Sequence, residues 1–338
     1  LKNQHSGNFK EISIIVAARN EEKNIGQLLH ILTELDYPAD KYEIIIADDR
    51  SEDKTAAIVK QFQGRSANLQ LVQVKEEDSR LAGKKGALDQ AINKASYEYL
   101  VFTDADCVPS KLWLQEINKQ WTSEIDFWAG YSPLIIKNRF IFFLKNLERA
   151  AIFAVTAGTF GLNWGVTCTA RNMGYRKSVF TKTEGFDGIG HIRSGDDDLL
   201  LQKMNRQIRK LNFLFSPDSI VWSKDGEEFE VQIDLETRRA SKWKYYPVSI
   251  KLLTAFVFIY YLFFLAGVVF FITENLSLNL FFSIVLIKLL AEFLFLAVFL
   301  LRIRMLKLLL IFPLAELIYI PYFIYFGLKG TLGKYNWK

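Results

Sequence analysis

Three long apolar runs in the last quarter of the chain limit its fold more than any other feature. Leu252 to Ile272 carries no charged residue, Leu276 to Leu301 carries only Lys288 and Glu292, and Leu308 to Leu328 carries only Glu316. Each is long enough to cross a bilayer as a helix, which takes roughly 20 apolar residues. Their length and their density of Phe, Leu, Ile and Tyr favour membrane helices over the buried helices of a large soluble protein. Lys242, Lys244 and Lys251 precede the first run, Arg302, Arg304 and Lys307 join the second to the third, and Glu274 and Asn275 separate the first two. The positive-inside bias then places residues before 248 in the cytoplasm. Lys329, Lys334 and Lys338 lie on the unfavoured side of this topology, a conflict relieved if Pro313 and Pro321 make the third segment kinked or re-entrant. The expected organisation is an integral membrane protein with a cytoplasmic domain over residues 1–245, about three transmembrane helices over 246–328 and a tail over 329–338.

The formal net charge of +5 suits a membrane-surface protein with anionic ligands. No nucleic-acid-binding module pattern accompanies it, so nucleic acid is not an expected partner. Cys107 and Cys168 are too few for a disulfide framework and read as reduced packing residues. The sequence opens at Leu1 rather than Met, which leaves room for a signal or a further span ahead of it.

Residues 11–131 alternate strand and helix signals. Ile12–Ala17, Tyr42–Ala47, Leu69–Val74 and Tyr97–Thr103 read as strands. Between them lie helical segments at Glu21–Leu35, capped by Asn20, at Asp53–Phe62, led by a Ser51 cap, and around Lys85–Lys94. Continuous apolar strands separated by helices predict an α/β fold with a mostly parallel sheet covered on both faces. Ligands of such sheets gather outside the carboxyl ends of the strands. Those ends carry Arg19-Asn-Glu-Glu22, Asp48-Asp49-Arg50-Ser51 and Asp104-Ala-Asp106. No glycine-rich dinucleotide fingerprint or phosphate loop follows any strand, so a phosphate group would need a metal instead of a backbone cradle. Asp104 and Asp106, at the mouth of a buried strand, suit that task, because Mg²⁺ or Mn²⁺ is commonly held by one or two carboxylates plus substrate phosphates. The competing use of Asp-x-Asp is a solvated turn or helix cap before Pro109.

Six motifs in order carry a resemblance: Ser13-Ile-Ile-Val-Ala-Ala-Arg-Asn-Glu21, Ala47-Asp-Asp-Arg-Ser-Glu-Asp53, Gly83-Lys-Lys-Gly-Ala-Leu88, Asp104-Ala-Asp106, Ala170-Arg-Asn-Met-Gly-Tyr-Arg176 and Gly195-Asp-Asp-Asp-Leu199. Over roughly residues 11–245 the chain resembles the membrane-anchored family-2 glycosyltransferases, inverting GT-A enzymes that include cellulose and hyaluronan synthases. The resemblance implies a nucleotide-diphosphate sugar donor, usually a UDP-sugar, with Mg²⁺ or Mn²⁺, and here a bacterial inner membrane. It implies that Asp49 hydrogen-bonds the uracil, with Glu21 and the backbone near Ala18 lining the same base pocket. A carboxylate accepts the imide N–H of uracil and offers nothing comparable to cytosine, so Asp49 would help choose the base. Lys84 matches the family's lysine near the nucleotide, while Lys85 is expected to be solvated. Asp104 resembles the residue that contacts the ribose, and Asp106 the metal ligand.

Aligned on the family's Gly-Glu-Asp pattern, Asp197 is the catalytic base and Asp196 stands where Glu is common. Asp198 is expected to cap the helix that follows. Arg171, Asn172 and Arg176 resemble the acceptor-side loop, and Trp164 would offer a flat face to a sugar. His191 reads as a solvated residue. Processive relatives carry Gln-x-x-Arg-Trp before the membrane helices. Here Leu235-Glu-Thr-Arg-Arg239 places Arg238 for the Arg near the diphosphate, with Leu235 and Arg239 replacing Gln and Trp; Trp243 is a shifted substitute. This favours single transfer to a lipid-linked or glycan acceptor. The alternatives are a processive polysaccharide synthase and a non-catalytic GT-A-like assembly subunit. A sugar-chain channel would need more than three spans, supplied by a second copy or an N-terminal helix. Leu134–Trp164 resembles an interfacial amphipathic helix in contact with membrane lipids, a buried domain helix being the alternative, since an apolar face serves both. Lys288 and Glu292 can pair at i,i+4, with Glu316 a third member.

Overall fold

The alternating pattern resolves into a seven-stranded sheet of order β3-β2-β1-β4-β7-β6-β8. The computed structural model describes residues 9–224, 242–273 and 277–332. In chain order these form β1 (Ile12–Ala18), α1 (Ile25–Thr33), β2 (Tyr42–Asp49), α2 (Thr55–Gln63), β3 (Leu69–Val74), α3 (Lys85–Lys94), β4 (Tyr99–Phe102), β5 (Cys107–Pro109), α4 (Trp113–Gln120) and β6 (Phe127–Gly130). There follow α5 (Arg139–Gly161), β7 (Met173–Arg176), α6 (Lys177–Lys182), α7 (Asp198–Met204), β8 (Leu211–Leu214), β9 (Val221–Ser223), α8 (Val248–Ile272), α9 (Leu278–Arg302) and α10 (Phe312–Leu332). Two compact units result, residues 1–135 with 156–224, and residues 136–155 with 225–338.

In the first unit β3, β2, β1 and β4 run parallel, β7 is inserted antiparallel beside β4, and β6 and β8 run parallel to each other on its far side. Every residue of β2 is buried, as a strand covered on both faces requires. On one face Ile25, Leu28, Leu29 and Leu32 of α1 recur at helical spacing and pack with Ile12, Ile14, Ile44, Ile46 and Trp113. Fully burying each such aliphatic side chain contributes roughly 1.5–3 kcal/mol. Toward the middle of the sheet Tyr175 stacks on Phe102 and Phe127, at 4.6 and 5.8 Å between ring centres, which ties the antiparallel insertion to its neighbours.

Two helices start differently from the pattern expected of their sequences. Asn20 has a positive φ of 56° and does not cap α1, which starts at Ile25 after Asn24. Ser51 Oγ accepts from the Asn20 N–H at 3.0 Å, and it is Asp53 that accepts from the N–H of Thr55 at the first turn of α2. The two strand-end loops are thus stapled to each other rather than each to its own helix.

In the second unit α8, α9 and α10 belong to segments long and apolar enough to cross a membrane. Phe256, Phe263, Leu286, Leu294 and Leu317 are exposed on them, as lipid-facing side chains would be. α10 continues through Pro321 as one helix of 21 residues, so the third segment is not a re-entrant loop. Lys288 is buried where the three helices meet. Its ammonium bonds Glu292 of α9 at 2.5 Å and Glu316 of α10, and lies 5.8 and 5.3 Å from the rings of Tyr261 and Phe264 of α8. Lys288→Met would leave two carboxylates facing each other without their cation. It is expected to destabilise this unit by about 3 kcal/mol, with Glu316→Gln in the same chain restoring part of the loss. Thermal unfolding in detergent reads this, and an unchanged single variant would show that the bundle does not depend on the cluster.

Candidate active site

After β1 the chain turns to one side of the sheet for β2 and β3, then crosses to the other for β4. This reversal opens a crevice at the carboxyl ends of β1 and β4, where ligands of open α/β sheets bind. The cleft there is lined by Ala17, Ala18, Arg19 and Glu21 after β1, Asp49 at the end of β2 and Lys84 just before α3. Asp104, Ala105 and Asp106 after β4, and Arg171 before β7, complete it. Three strand ends far apart in sequence therefore meet, and the cleft holds four carboxylates and three cationic side chains.

Asp104 and Asp106 sit in a tight turn closed by the Cys107 N–H donating to the Asp104 carbonyl at 3.1 Å. The two-stranded ribbon of β5 and β9 fixes Asp106, since Ser223 Oγ donates to its Oδ2 at 3.1 Å. Lys84 Nζ lies 3.1 Å from Asp104 and Arg171 Nε 3.7 Å from it. Burial pushes the Cys107 thiol up, and the two aspartates push it further, so it stays a neutral thiol beside the carboxylates. Among the described residues no group of three or more His, Cys, Asp or Glu could cage an ion. The two aspartates instead match a hard cation shared between one or two carboxylates and a diphosphate.

Lys84 links this cleft to the acidic segment 196–198. Its Nζ is 2.9 Å from Asp196 Oδ2 as well as 3.1 Å from Asp104. Burial opposes its charge, but Asp104, Asp196 and Asp197 overcome that and hold the ammonium well above the ordinary lysine range. The segment turns at Gly195, whose φ of +83° and contact with Leu199 leave no room for a side chain. Asp197 then accepts from the Asp198 N–H at 2.7 Å at the start of α7, and Asp198 is buried. Asp196 thus faces the cleft cation, while Asp197 occupies the helix entry beside it.

The other expected site residues divide. Asn172 is wholly buried, accepting from Trp113 Nε1 at 3.2 Å and donating to the carbonyls of Tyr131 and Ser219 at 3.0 and 2.8 Å. It holds the framework rather than facing an acceptor. Arg176 likewise pairs with Asp126 at 3.1 Å. Trp164 is half-buried after α5. Trp243 belongs to the second unit, where its Nε1 donates to Thr254 Oγ1 at 3.2 Å. Arg238 lies outside the described residues. Lys85, expected in solvent, is fully buried. Arg171 lines the same cleft as Asp104. Arg19 joins the cleft without having been singled out; its place directly after β1 was the available signal.

Burial pushes the Glu21 carboxyl above its ordinary value. A hydrogen bond from Asn24 at 2.9 Å opposes this, and Asp106, Asp104 and Asp53 add to it. The native state therefore holds this proton more tightly than the unfolded chain. The associated stability is full below the unfolded value of about 4.5 and is lost as pH rises through the native one. Relative to Glu21→Gln, the wild-type melting temperature is expected to fall as pH is raised across that window. Parallel curves for the two proteins would contradict this electrostatic reading.

Comparison with known proteins agrees with this architecture. The Glycosyl transferase family 2 model matches residues 13–183, half of the chain. The probable glycosyltransferase YdaM of Bacillus subtilis is 27% identical over 263 residues, which cover 74% of this chain and 59% of that protein. Glycosyltransferase AglE of Haloferax volcanii is 33% identical over 31% of this chain and 33% of its own length. The beta-monoglucosyldiacylglycerol synthase of Synechocystis is 37% identical over 31% of this chain and 22% of its own length. The chain thus spans less than two thirds of the length of each of these relatives. Among solved structures, the mannosyltransferase PcManGT of Pyrobaculum calidifontis, in complex with GDP-Man and Mn²⁺, superposes with a TM-score of 0.54 at 21% identity. That match covers 69% of this chain and 62% of the other and shows a shared GT-A-type fold. By the family model's match over half of its length, the chain belongs to glycosyl transferase family 2.

Proposed function

We propose that this chain transfers a single hexose-type residue from a UDP-sugar, with inversion, to a lipid-linked or glycan acceptor at the cytoplasmic face of a membrane. The observation that carries the reading is the cleft at the sheet's reversal point, where Glu21, Asp49, Lys84, Asp104 and Asp106 converge and Lys84 reaches Asp196. Asp49, with Ala18 and Glu21, takes the uracil edge, and Asp104 the ribose. Asp106, with Asp104 beside it, would hold Mg²⁺ or Mn²⁺. Such an ion, when bound, neutralises charge on the departing diphosphate. Lys84, Arg171 and Arg19 supply positive charge in the same cleft.

Asp197 takes the proton of the acceptor hydroxyl as that oxygen bonds to the anomeric carbon. The bond from that carbon to the phosphate oxygen breaks on the opposite face, and UDP leaves with the bonding pair. Asp196, paired with Lys84, couples the base-bearing segment to the phosphate side of the cleft. A membrane acceptor is supported by α8, α9 and α10, long and apolar enough to cross a membrane, and by the similarity to a beta-monoglucosyldiacylglycerol synthase. The departure of Leu235–Arg239 from Gln-x-x-Arg-Trp favours one transfer over chain elongation.

Detergent-purified protein, given native lipid extract and Mn²⁺ or Mg²⁺, is to be tested against a panel of UDP- and GDP-sugars for release of nucleotide. Turnover of one UDP-sugar with label entering the lipid fraction supports the reading. Turnover of a GDP-sugar instead would overturn the donor assignment, and a polymeric product would overturn single transfer.

A further inference from the structure

Lys85 stands next to Lys84 yet points to different partners, and the proposed base-bearing segment rests on it. Its side chain is wholly buried, and its Nζ donates to the carbonyls of Ile189 at 3.1 Å, Ser194 at 2.8 Å and Ile192. These acceptors belong to the stretch that ends at Gly195 and leads directly into Asp196 and Asp197. The neighbouring backbone closes the same seam, with the Ala82 N–H donating to the Gly190 carbonyl at 2.8 Å. Gly83, at φ +66°, lies so close to Arg193 that a Cβ would stand 2.7 Å from its carbonyl oxygen. Lys85 itself is the first residue of α3, a helix whose Ala87, Leu88, Ala91 and Ile92 are buried.

We propose that Lys85 is a positioning residue, a buried ammonium that clamps segment 189–194 to α3 and thereby fixes Asp196 and Asp197 against the donor cleft. The physical case rests on the donor set. An ammonium offers three N–H groups that can serve three converging carbonyls, whereas an aliphatic side chain of similar length would take this donor from the Ile192 and Ser194 carbonyls and leave that of Ile189 with only the Ile192 N–H at 3.2 Å. The inference rests on the transferase reading for its catalytic consequence, but the clamp itself does not require that reading.

Lys85→Met, Lys85→Gln and Gly190→Ala test it in the full chain. The last keeps the lysine but places a Cβ 2.4 Å from the Arg80 carbonyl oxygen, so it displaces the seam from the other side. Two readouts are taken together, hydrogen exchange of peptides covering 189–198 and 42–49, and steady-state transfer kinetics. The clamp predicts exchange in 189–198 raised at least roughly tenfold in Lys85→Met and less in Lys85→Gln, with 42–49 unchanged. It predicts kcat lowered about 10²-fold, with a much smaller change in donor KM and UDP affinity, passed on through the Asp196–Lys84 contact, and the same split in Gly190→Ala. Unchanged exchange in 189–198, or equal loss of UDP affinity and kcat, would overturn the clamp. Should Lys85→Met fail to fold, Lys85→Gln and Gly190→Ala decide by the same criteria. A wild-type protein inactive with every donor, combined with raised exchange in the variants, would reject the transferase reading while leaving the clamp in place.

Discussion

Asp106→Asn is expected to lower transfer by roughly 10³-fold and to abolish the part of UDP affinity that depends on Mn²⁺ or Mg²⁺. The substitution keeps the size of the side chain and an oxygen to accept from Ser223 Oγ, so the β5–β9 ribbon and the turn at Asp104 should survive. What it removes is a full negative charge in the cleft. Negative charge builds on the leaving diphosphate as the anomeric bond breaks, and a divalent cation held against it lowers that barrier without a proton transfer. Lys84 cannot substitute, because its ammonium is already shared between Asp104 and Asp196. Measurement of kcat and of UDP affinity with and without metal checks both halves. Retained metal dependence in Asp106→Asn would move the ion elsewhere.

Asp197→Asn should leave UDP binding intact and lower kcat by roughly 10² to 10⁴-fold, the range of a lost general base. An asparagine keeps an Oδ1 that can accept the Asp198 N–H, so the entry to α7 is retained and a fall in rate cannot be assigned to a lost cap. Asp196→Asn should behave differently. It removes the negative charge that pairs with Lys84, so both donor affinity and kcat are expected to change. If Asp196→Asn and Asp197→Asn exchanged these signatures, the roles of the two carboxylates would be reversed.

Much of this architecture is legible in the sequence because it is written locally. The three C-terminal runs are apolar along their full length, so their helices needed no knowledge of neighbours. Strand ends carrying acids were equally plain, since an apolar run that stops at Asp49 or at Asp104 marks both the strand and its mouth. The start of α1 was not legible, because loop 19–22 is held by Ser51, Asp53 and Thr55 through hydrogen bonds that cross about thirty residues of sequence. The closeness of Arg171 to Asp104 is not legible in its own segment, because it depends on β7 lying antiparallel beside β4. The burial of Lys85 is hidden for the same reason. A lysine at the start of a helix looks exposed until carbonyls more than a hundred residues later fold onto it.

The most direct test of the donor cleft is calorimetric titration of UDP into detergent-purified protein in Mn²⁺, in Mg²⁺ and in EDTA, beside Asp106→Asn. The account predicts binding that weakens sharply on chelation in the wild type and is weak and indifferent to metal in the variant. Wild-type affinity for UDP that is the same in EDTA as in metal, or absent in all three, would contradict it.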